Sequence, residues 1–161
     1  MKMLCFILIP FLGCSNNATK SSEPHDKQAV QIYLKWNTAD VLDTFHGELQ
    51  KDLVMDGTVR IRFWLTKREQ EIILITAERF RFFSYPDTVN RQPDEQIEPD
   101  PGPQVFRIKT GNRDKSIVWF EPHDKRFKYY QLLMQLRNLV VDIVASRPEY
   151  RALPESRGGY F

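Results

Sequence analysis

The residues best suited to chemistry are two histidines that lie in a repeated pentapeptide. Glu-Pro-His-Asp-Lys occurs at residues 23–27 and again at residues 121–125. A histidine flanked by carboxylates is able to bind a metal ion or to relay a proton. Neither copy supplies the third ligand that a stable metal site needs, and the flanks of the two copies share nothing. The simpler interpretation is a turn before a regular element, with Asp124 capping the last helix.

His46 is the third histidine, and it lies near Asp43 and Glu48 in the sequence. Three scattered histidines without a ligand-spacing motif do not predict a metal centre. The chain also lacks a Gly-x-Ser-x-Gly elbow, a phosphate-binding glycine loop and a His-Glu-x-x-His motif. We therefore assign no catalytic residue, metal or cofactor. A small periplasmic hydrolase that uses His123, Asp124 and a nearby carboxylate stays open as an alternative.

Cationic and aromatic residues recur at alternate positions of the predicted strands, which indicates a binding surface. If the strands pair as predicted, these side chains project from the sheet face opposite the helices. Arginines interleaved with aromatic residues are common on surfaces that recognise proteins or anionic glycans. The alternative is a solvated sheet face whose residue types simply suit a strand. The candidate binding residues are Tyr33, Lys35, Arg60, Arg62, Trp64, Arg107 and Lys109.

The start of the chain has a positive residue, an apolar run and a small residue in the order that is typical of a secretory signal. One lysine precedes an apolar run that is too short to cross a bilayer as a permanent helix, and the run ends at Gly13-Cys14. Phe11-Leu12-Gly13-Cys14 resembles the lipobox of bacterial lipoproteins. Phe11 stands where leucine or valine is commoner in that family, and Pro10 interrupts the apolar run.

The lipoprotein resemblance implies a signal peptide at residues 1–13 and lipidation, including palmitate-like acyl chains, on Cys14. Each buried methylene contributes about 0.8 kcal/mol, so several acyl chains anchor a protein almost irreversibly. Ser15 follows the cysteine, which implies the outer membrane of the bacterial cell envelope. The side of that membrane, periplasmic or external, stays open. The alternative is a short buried segment of a cytoplasmic protein.

Composition narrows the classes of partner and of chemistry. The 161 residues include 23 basic and 21 acidic ones, and this near balance argues against nucleic acid as a partner. Cys5 lies in the predicted signal and Cys14 is the predicted lipid site, so the mature domain has no disulfide and no thiol nucleophile. The remaining partners are an envelope protein or an anionic polymer, besides the membrane itself.

The first half of the chain predicts a flexible tether at residues 14–28 and then strands. Residues 29–37 alternate as a half-buried strand, whereas residues 38–46 are irregular and predict a loop or a helical turn. Asp-Gly at residues 56–57 predicts a hairpin whose second strand spans residues 58–65.

The second half begins with Thr66 and Glu69, whose spacing is that of a capping box, and predicts a helix to about Phe83 with Ile72 and Ile73 facing inward. The acidic, proline-rich residues 93–103 predict a connecting loop, and a partner-binding insertion is the alternative.

Beyond that loop the sequence predicts a second hairpin, a helix and a tail. The hairpin has strands at residues 105–110 and 116–120. The helix spans residues 125–146, with Tyr129 and Ile143 among its inward residues. The tail, residues 151–161, is expected to be loose.

The predicted fold class is α+β: an antiparallel sheet of about five strands with two helices on one face, in a single domain over residues 29–150. The function that we expect is a non-catalytic binding or interaction module, anchored to the envelope membrane. The alternatives are the small hydrolase described above and an architectural envelope component.

Overall fold

The computed structural model describes residues 29–89, 102–120 and 128–159. The predicted signal peptide and tether, both pentapeptide copies and most of the acidic loop lie outside these ranges.

The predicted α+β class is confirmed, with more strands than expected. In the described residues seven strands form one sheet in the order β4-β3-β2-β1-β6-β7-β5, and every neighbouring pair is antiparallel except β5 and β7. The strands are β1 (Val30–Trp36), β2 (Asp40–Asp43), β3 (Glu48–Asp52), β4 (Thr58–Arg62), β5 (Thr88–Val89), β6 (Gln104–Thr110) and β7 (Arg113–Trp119). The helices are α1 (Lys67–Arg79), α2 (Lys128–Ser146) and the short α3 (Pro148–Arg151).

The central strand β1 forms as its alternation predicts. Its odd-numbered side chains are half-buried on one face, and its even-numbered ones are buried in the core. Those even-numbered residues join buried side chains of both long helices in one hydrophobic cluster. The helix-covered face is therefore the inner face of the sheet, and the opposite face is called the outer face below. The buried residues of β1 are Val30, Ile32, Leu34 and Trp36.

Strands β2 and β5 were not predicted from the sequence because they are short. The irregular residues 38–46 contain β2, which pairs with both β1 and β3. Asn37 lies in the left-handed region at φ 54° and reverses the chain between β1 and β2. Strand β5 has only two residues and pairs with the end of β7. Neither strand is long enough to show alternation as a pattern.

Both predicted hairpins are present, with strands that are shorter than predicted in the first and longer than predicted in the second. In the first, β3 and β4 pair through Leu49 and Ile61, and the turn includes Val54 at φ 60° and Gly57 at φ 77°. In the second, β6 and β7 pair along their full length around Gly111.

Helix α1 starts where the capping box predicts and ends early. The Glu69 N–H donates to Thr66 Oγ1 (3.2 Å), and the Thr66 N–H donates to Glu69 Oε2 (2.7 Å). The helix ends at Arg79 rather than near Phe83, because Arg81 adopts a left-handed conformation (φ 56°). A short 3-10 turn follows over Phe82–Ser84.

The inward faces of the helices are shifted by one residue from the prediction at several positions. Ile72 is exposed, and Ile73 is buried as expected. On α2 Tyr129 is exposed and Tyr130 is buried, while Ile143 is only half-buried. The buried residues of α1 are Gln70, Ile73 and Ala77, and those of α2 are Tyr130, Leu133, Leu136, Val140 and Val144.

The C-terminal segment is docked where the sequence predicts a loose tail. Arg157 forms a parallel bridge with Val54 and a bidentate ion pair with Asp56 at 2.8 Å through both contacts. The Ser156 hydroxyl donates to the Asp52 carbonyl oxygen at 2.5 Å. Residues 152–159 therefore close the end of the first hairpin.

Candidate functional site

The outer face carries a row of four side chains that runs across four strands. Tyr33 on β1 pairs with Asp43 on β2 and with Arg107 on β6, and Arg107 pairs with Ser116 on β7. Because paired residues of adjacent strands point to the same side of a sheet, the four side chains form one line. This line is the floor of the candidate site.

A depression of about 600 Å³ lies over this row, and it is called the outer depression below. Its volume is within the range of small-molecule sites, about 300–1,000 Å³. Aromatic, cationic and neutral polar groups alternate around it. Beyond the four residues of the row, the lining consists of Gln31, Phe45, His46, Val105 and Lys109.

Phe45 forms one wall of the outer depression because the chain after β2 is held against β1. The Thr44 N–H donates to the Ile32 carbonyl oxygen (2.8 Å), and the Ile32 N–H donates to Thr44 Oγ1 (2.7 Å). Thr44 is buried, so these hydrogen bonds fix the backbone directly before Phe45. The aromatic ring then covers Arg107, whose Cζ lies 4.6 Å from the ring centroid.

The guanidinium of Arg107 is also held by two hydrogen bonds along one of its edges. Its Nε and Nη2 donate to the two carboxylate oxygens of Asp114, at 2.8 and 2.6 Å. The hydrogen bond from Arg107 lowers the pKa of Asp114, and the same contact raises the pKa of Arg107. Arg107 is therefore a positioned side chain whose charge Asp114 partly compensates.

His46 and Asp43 form a hydrogen-bonded pair at the rim. Nδ1 of His46 lies 2.7 Å from Asp43 Oδ2, and the other carboxylate oxygen accepts the backbone N–H groups of Phe45 and His46 at 2.9 and 3.2 Å. The hydrogen bond with Asp43 raises the pKa of His46. Since the imidazole is exposed, it can add positive charge to the rim as the pH falls.

Lys109 is a second cation of the outer depression and lies opposite Asp114 of β7. It is exposed, and within the described ranges it forms no ion pair. Tyr33 offers a half-buried ring and a hydroxyl, and Ser116 offers a second hydroxyl. Together these groups suit an anionic ligand that also carries hydroxyl or other polar groups. They include no pairing of an activated nucleophile with a base.

Six of the seven predicted binding residues divide into two groups. Tyr33, Arg107 and Lys109 line the outer depression, and Lys35 lies two residues beyond Tyr33, on the same face of β1. Arg60 and Arg62 lie on β4, at the edge of the sheet.

Trp64 packs over the connection between β2 and β3. A Cβ atom on Gly47 would meet its ring at 2.1 Å, so the indole lies directly against that glycine. Phe45 and His46 also line the outer depression, and the sequence pattern did not predict this because β2, the strand that positions them, is too short to show alternation.

The chain was compared with models of known protein families, with curated proteins and with solved structures, and none of them matches. The site must therefore be interpreted from its own geometry. The described residues contain no group of three metal-ligating side chains. No helix among them is both long and apolar enough to traverse a bilayer. His123 and Asp124, the residues of the hydrolase alternative, lie outside the described residues.

Proposed function

We propose that this protein is a non-catalytic binding module and that the outer depression holds its ligand. The observation that carries the proposal is the convergence of Tyr33, Phe45, Arg107 and Lys109 on one concave surface opposite the helices. Fixed aromatic side chains and oriented cations give a binding site contact area and charge at small entropic cost.

The ligand class that fits these charges is anionic. Lys109 projects into the outer depression without an ion pair in the described residues, and His46 gains charge as the pH falls. Asp43 and Asp114 are already engaged by His46 and Arg107. When His46 is protonated, three cations (His46, Arg107 and Lys109) face two carboxylates, and a carboxylate or phosphate group of an envelope protein or polymer would balance the remaining positive charge.

The proposed location is the bacterial envelope, through lipid on Cys14 and with the outer membrane as the expected address. This part of the proposal is supported by the resemblance of Phe11-Leu12-Gly13-Cys14 to a lipobox. A lipid-anchored domain meets envelope proteins and polymers at high effective concentration, because both are confined to the same layer.

The proposal is tested by affinity capture of the tagged full chain from native membranes. The test variant is Tyr33→Ala with Lys109→Glu, and the matched control is Tyr129→Ala with Lys67→Glu, which changes exposed residues on the helices. We expect a component that is retained by the wild type and the control but lost from the test variant. A component lost equally from both variants, or from neither, would contradict binding at the outer depression.

The same preparation tests the anchor. Mass spectrometry of the N-terminal peptide is expected to show Cys14 as the first residue, with acyl chains attached. A peptide that retains Met1 and carries no lipid would contradict the proposed location, and it would leave the binding result unaffected.

A further inference from the structure

Strand β4 ends the sheet on one side and presents an open backbone edge. The Phe63 N–H donates to the Gly47 carbonyl oxygen (3.0 Å), and the Leu53 N–H donates to the Gly57 carbonyl oxygen (2.8 Å). In an antiparallel pair such bonds recur at every second residue. The odd-numbered residues of β4 therefore bond to β3, and the N–H and C=O groups of Thr58, Arg60 and Arg62 point away from the sheet.

This edge lacks most of the features that prevent edge strands from pairing. Strand β4 is regular, contains no proline and no bulge, and has five residues in unbroken register with β3. In the described ranges no residue pairs with its open side. Arg60 and Arg62 are the charged residues that could discourage pairing. Their positive charge therefore determines which kind of strand this edge can bind.

Among the described residues, Arg60 and Arg62 form hydrogen bonds only with neutral acceptors, and Glu48, which lies opposite Arg62 on β3, forms no ion pair with it. Arg60 Nε donates to Gln50 Oε1 (2.7 Å), and Arg62 Nη1 donates to the His46 carbonyl oxygen (3.3 Å). By contrast, Arg107 and Arg157 bind carboxylates through two hydrogen bonds each. A strand placed beside β4 would therefore gain by placing carboxylates opposite Arg60 and Arg62.

The inner face of β4 favours a partner strand that has apolar side chains on that face. Val59 and Ile61 are only half-buried, whereas Leu49 on the adjacent strand β3 is fully buried. A further strand would cover the two half-buried side chains if it placed apolar residues next to them. Its sequence must then alternate between acidic and apolar residues.

We propose that the edge of β4 binds an extended acidic segment of a partner protein, which adds a strand to the sheet. A second copy of this chain fits poorly, because full antiparallel overlap of β4 with itself places Arg60 opposite Arg60 and offers no carboxylate to either arginine. The proposal does not rest on the outer depression, although the two sites approach each other at His46, which lines the depression and whose carbonyl oxygen accepts from Arg62.

The probe is a short, capped synthetic peptide in which valine and glutamate alternate, and the measurement is its affinity for the full chain by fluorescence anisotropy. The wild type is expected to bind it and to bind the lysine-for-glutamate version at least tenfold more weakly. Arg60→Glu with Arg62→Glu is expected to reverse this preference. The control Arg68→Glu with Arg79→Glu changes exposed arginines of α1 and is expected to bind as the wild type does.

Strand addition is separated from simple charge attraction by Arg60→Pro. Proline removes an N–H that points outward and leaves the bonds to β3 intact. Binding should fall about tenfold relative to Arg60→Ala, which has lost the same charge. If Arg60→Pro unfolds, a glutamate–valine peptide N-methylated at alternate residues takes its place as the test, and it is expected to bind about tenfold more weakly than the unmodified peptide.

Three results would overturn the proposal. The first is failure of the acidic peptide to bind the wild type. The second is equal affinity of the wild type for the modified and unmodified peptides, or equal affinity of Arg60→Pro and Arg60→Ala for the unmodified peptide. Either result would show that the peptide is held by charge attraction without strand addition. The third is a dimer in sedimentation experiments that Arg60→Pro dissociates, which would assign the edge to a second copy.

Discussion

Phe45 lies over the guanidinium of Arg107, with 4.6 Å between Arg107 Cζ and the ring centroid. The two residues are far apart in sequence, and Phe45 follows a strand that the sequence did not reveal. Their contact places an aromatic wall beside a fixed cation on the outer face. Ligand binding at the outer depression, as proposed above, depends on that arrangement.

Replacing Phe45 is expected to loosen Arg107. Phe45→Ala removes half-buried area and the cation–π contact, and should lower the free energy of unfolding by about 1–2 kcal/mol. Phe45→Leu keeps most of the apolar area and should cost less than about 1 kcal/mol. Urea denaturation of the three proteins measures the difference. No measurable loss for Phe45→Leu would show that the π contact with Arg107 does not stabilise the fold.

His46 is expected to titrate above its ordinary pKa, because Asp43 Oδ2 lies 2.7 Å from Nδ1 and favours the charged imidazole. NMR titration of the imidazole protons measures this directly. Asp43→Asn should return the pKa of His46 towards about 6.5. An unchanged pKa in that variant would show that the hydrogen bond to Asp43 is absent in solution.

The same pair predicts the sign of one pH effect on stability. Because folding raises the pKa of His46, the folded state favours the protonated form. The stabilisation that the His46–Asp43 pair gives the folded state should be complete below the pKa of His46 in the unfolded chain, about 6.5. It should disappear as the pH rises through the pKa of His46 in the folded protein. Comparing the wild type with His46→Gln by urea denaturation at several pH values tests this. A stability difference that instead grows with rising pH would contradict the pair's role.

Gly47 is required both by its backbone and by its neighbour. It has φ 67°, and a Cβ atom there would meet the Trp64 ring at 2.1 Å. Gly47→Ala should lower the free energy of unfolding by about 2–4 kcal/mol, from left-handed strain and overpacking together. Gly111→Ala is the control, since φ is 55° with nothing within 4 Å, and it should cost about 1 kcal/mol. Equal costs in chemical denaturation would show that Trp64 does not pack on Gly47.

The sequence predicted the parts of the fold that local physics determines. The alternation of β1, both hairpins and the capping box of Thr66 with Glu69 depend on neighbouring residues, and all are present. The placement of Tyr33, Arg107 and Lys109 on one face followed from strand alternation alone.

The remaining features depend on contacts between distant segments. Strand β2 is a strand because β1 and β3 flank it, and its four residues show no pattern by themselves. Helix α1 ends early because the chain must turn at Arg81 to place Phe82 in the core. The tail is ordered by Val54 and Asp56, which no local signal connects to Arg157.

Glu69 links the start of α1 to the end of α2. Its carboxylate accepts from Thr66 N–H and from Arg147 Nη1, at 2.7 and 3.1 Å. Thr66→Ala should therefore cost about 1 kcal/mol, as a lost cap does. Glu69→Ala should cost about 2–3 kcal/mol, because Arg147 also loses a partly buried partner. A double-mutant cycle of Glu69→Ala and Arg147→Ala measures the coupling, and strict additivity would contradict the link.

Ligand binding at the outer depression is tested most directly by photo-crosslinking in intact cells. A benzophenone amino acid replaces Tyr33 in the outer depression or, as the control, Ile75 on the exposed side of α1, which is 68% exposed. Ligand binding at the outer depression should give discrete adducts from position 33, their loss when Lys109→Glu is added, and none of these adducts from position 75. Adducts from position 75 alone, or adducts from position 33 that Lys109→Glu leaves unchanged, would contradict ligand binding at the outer depression.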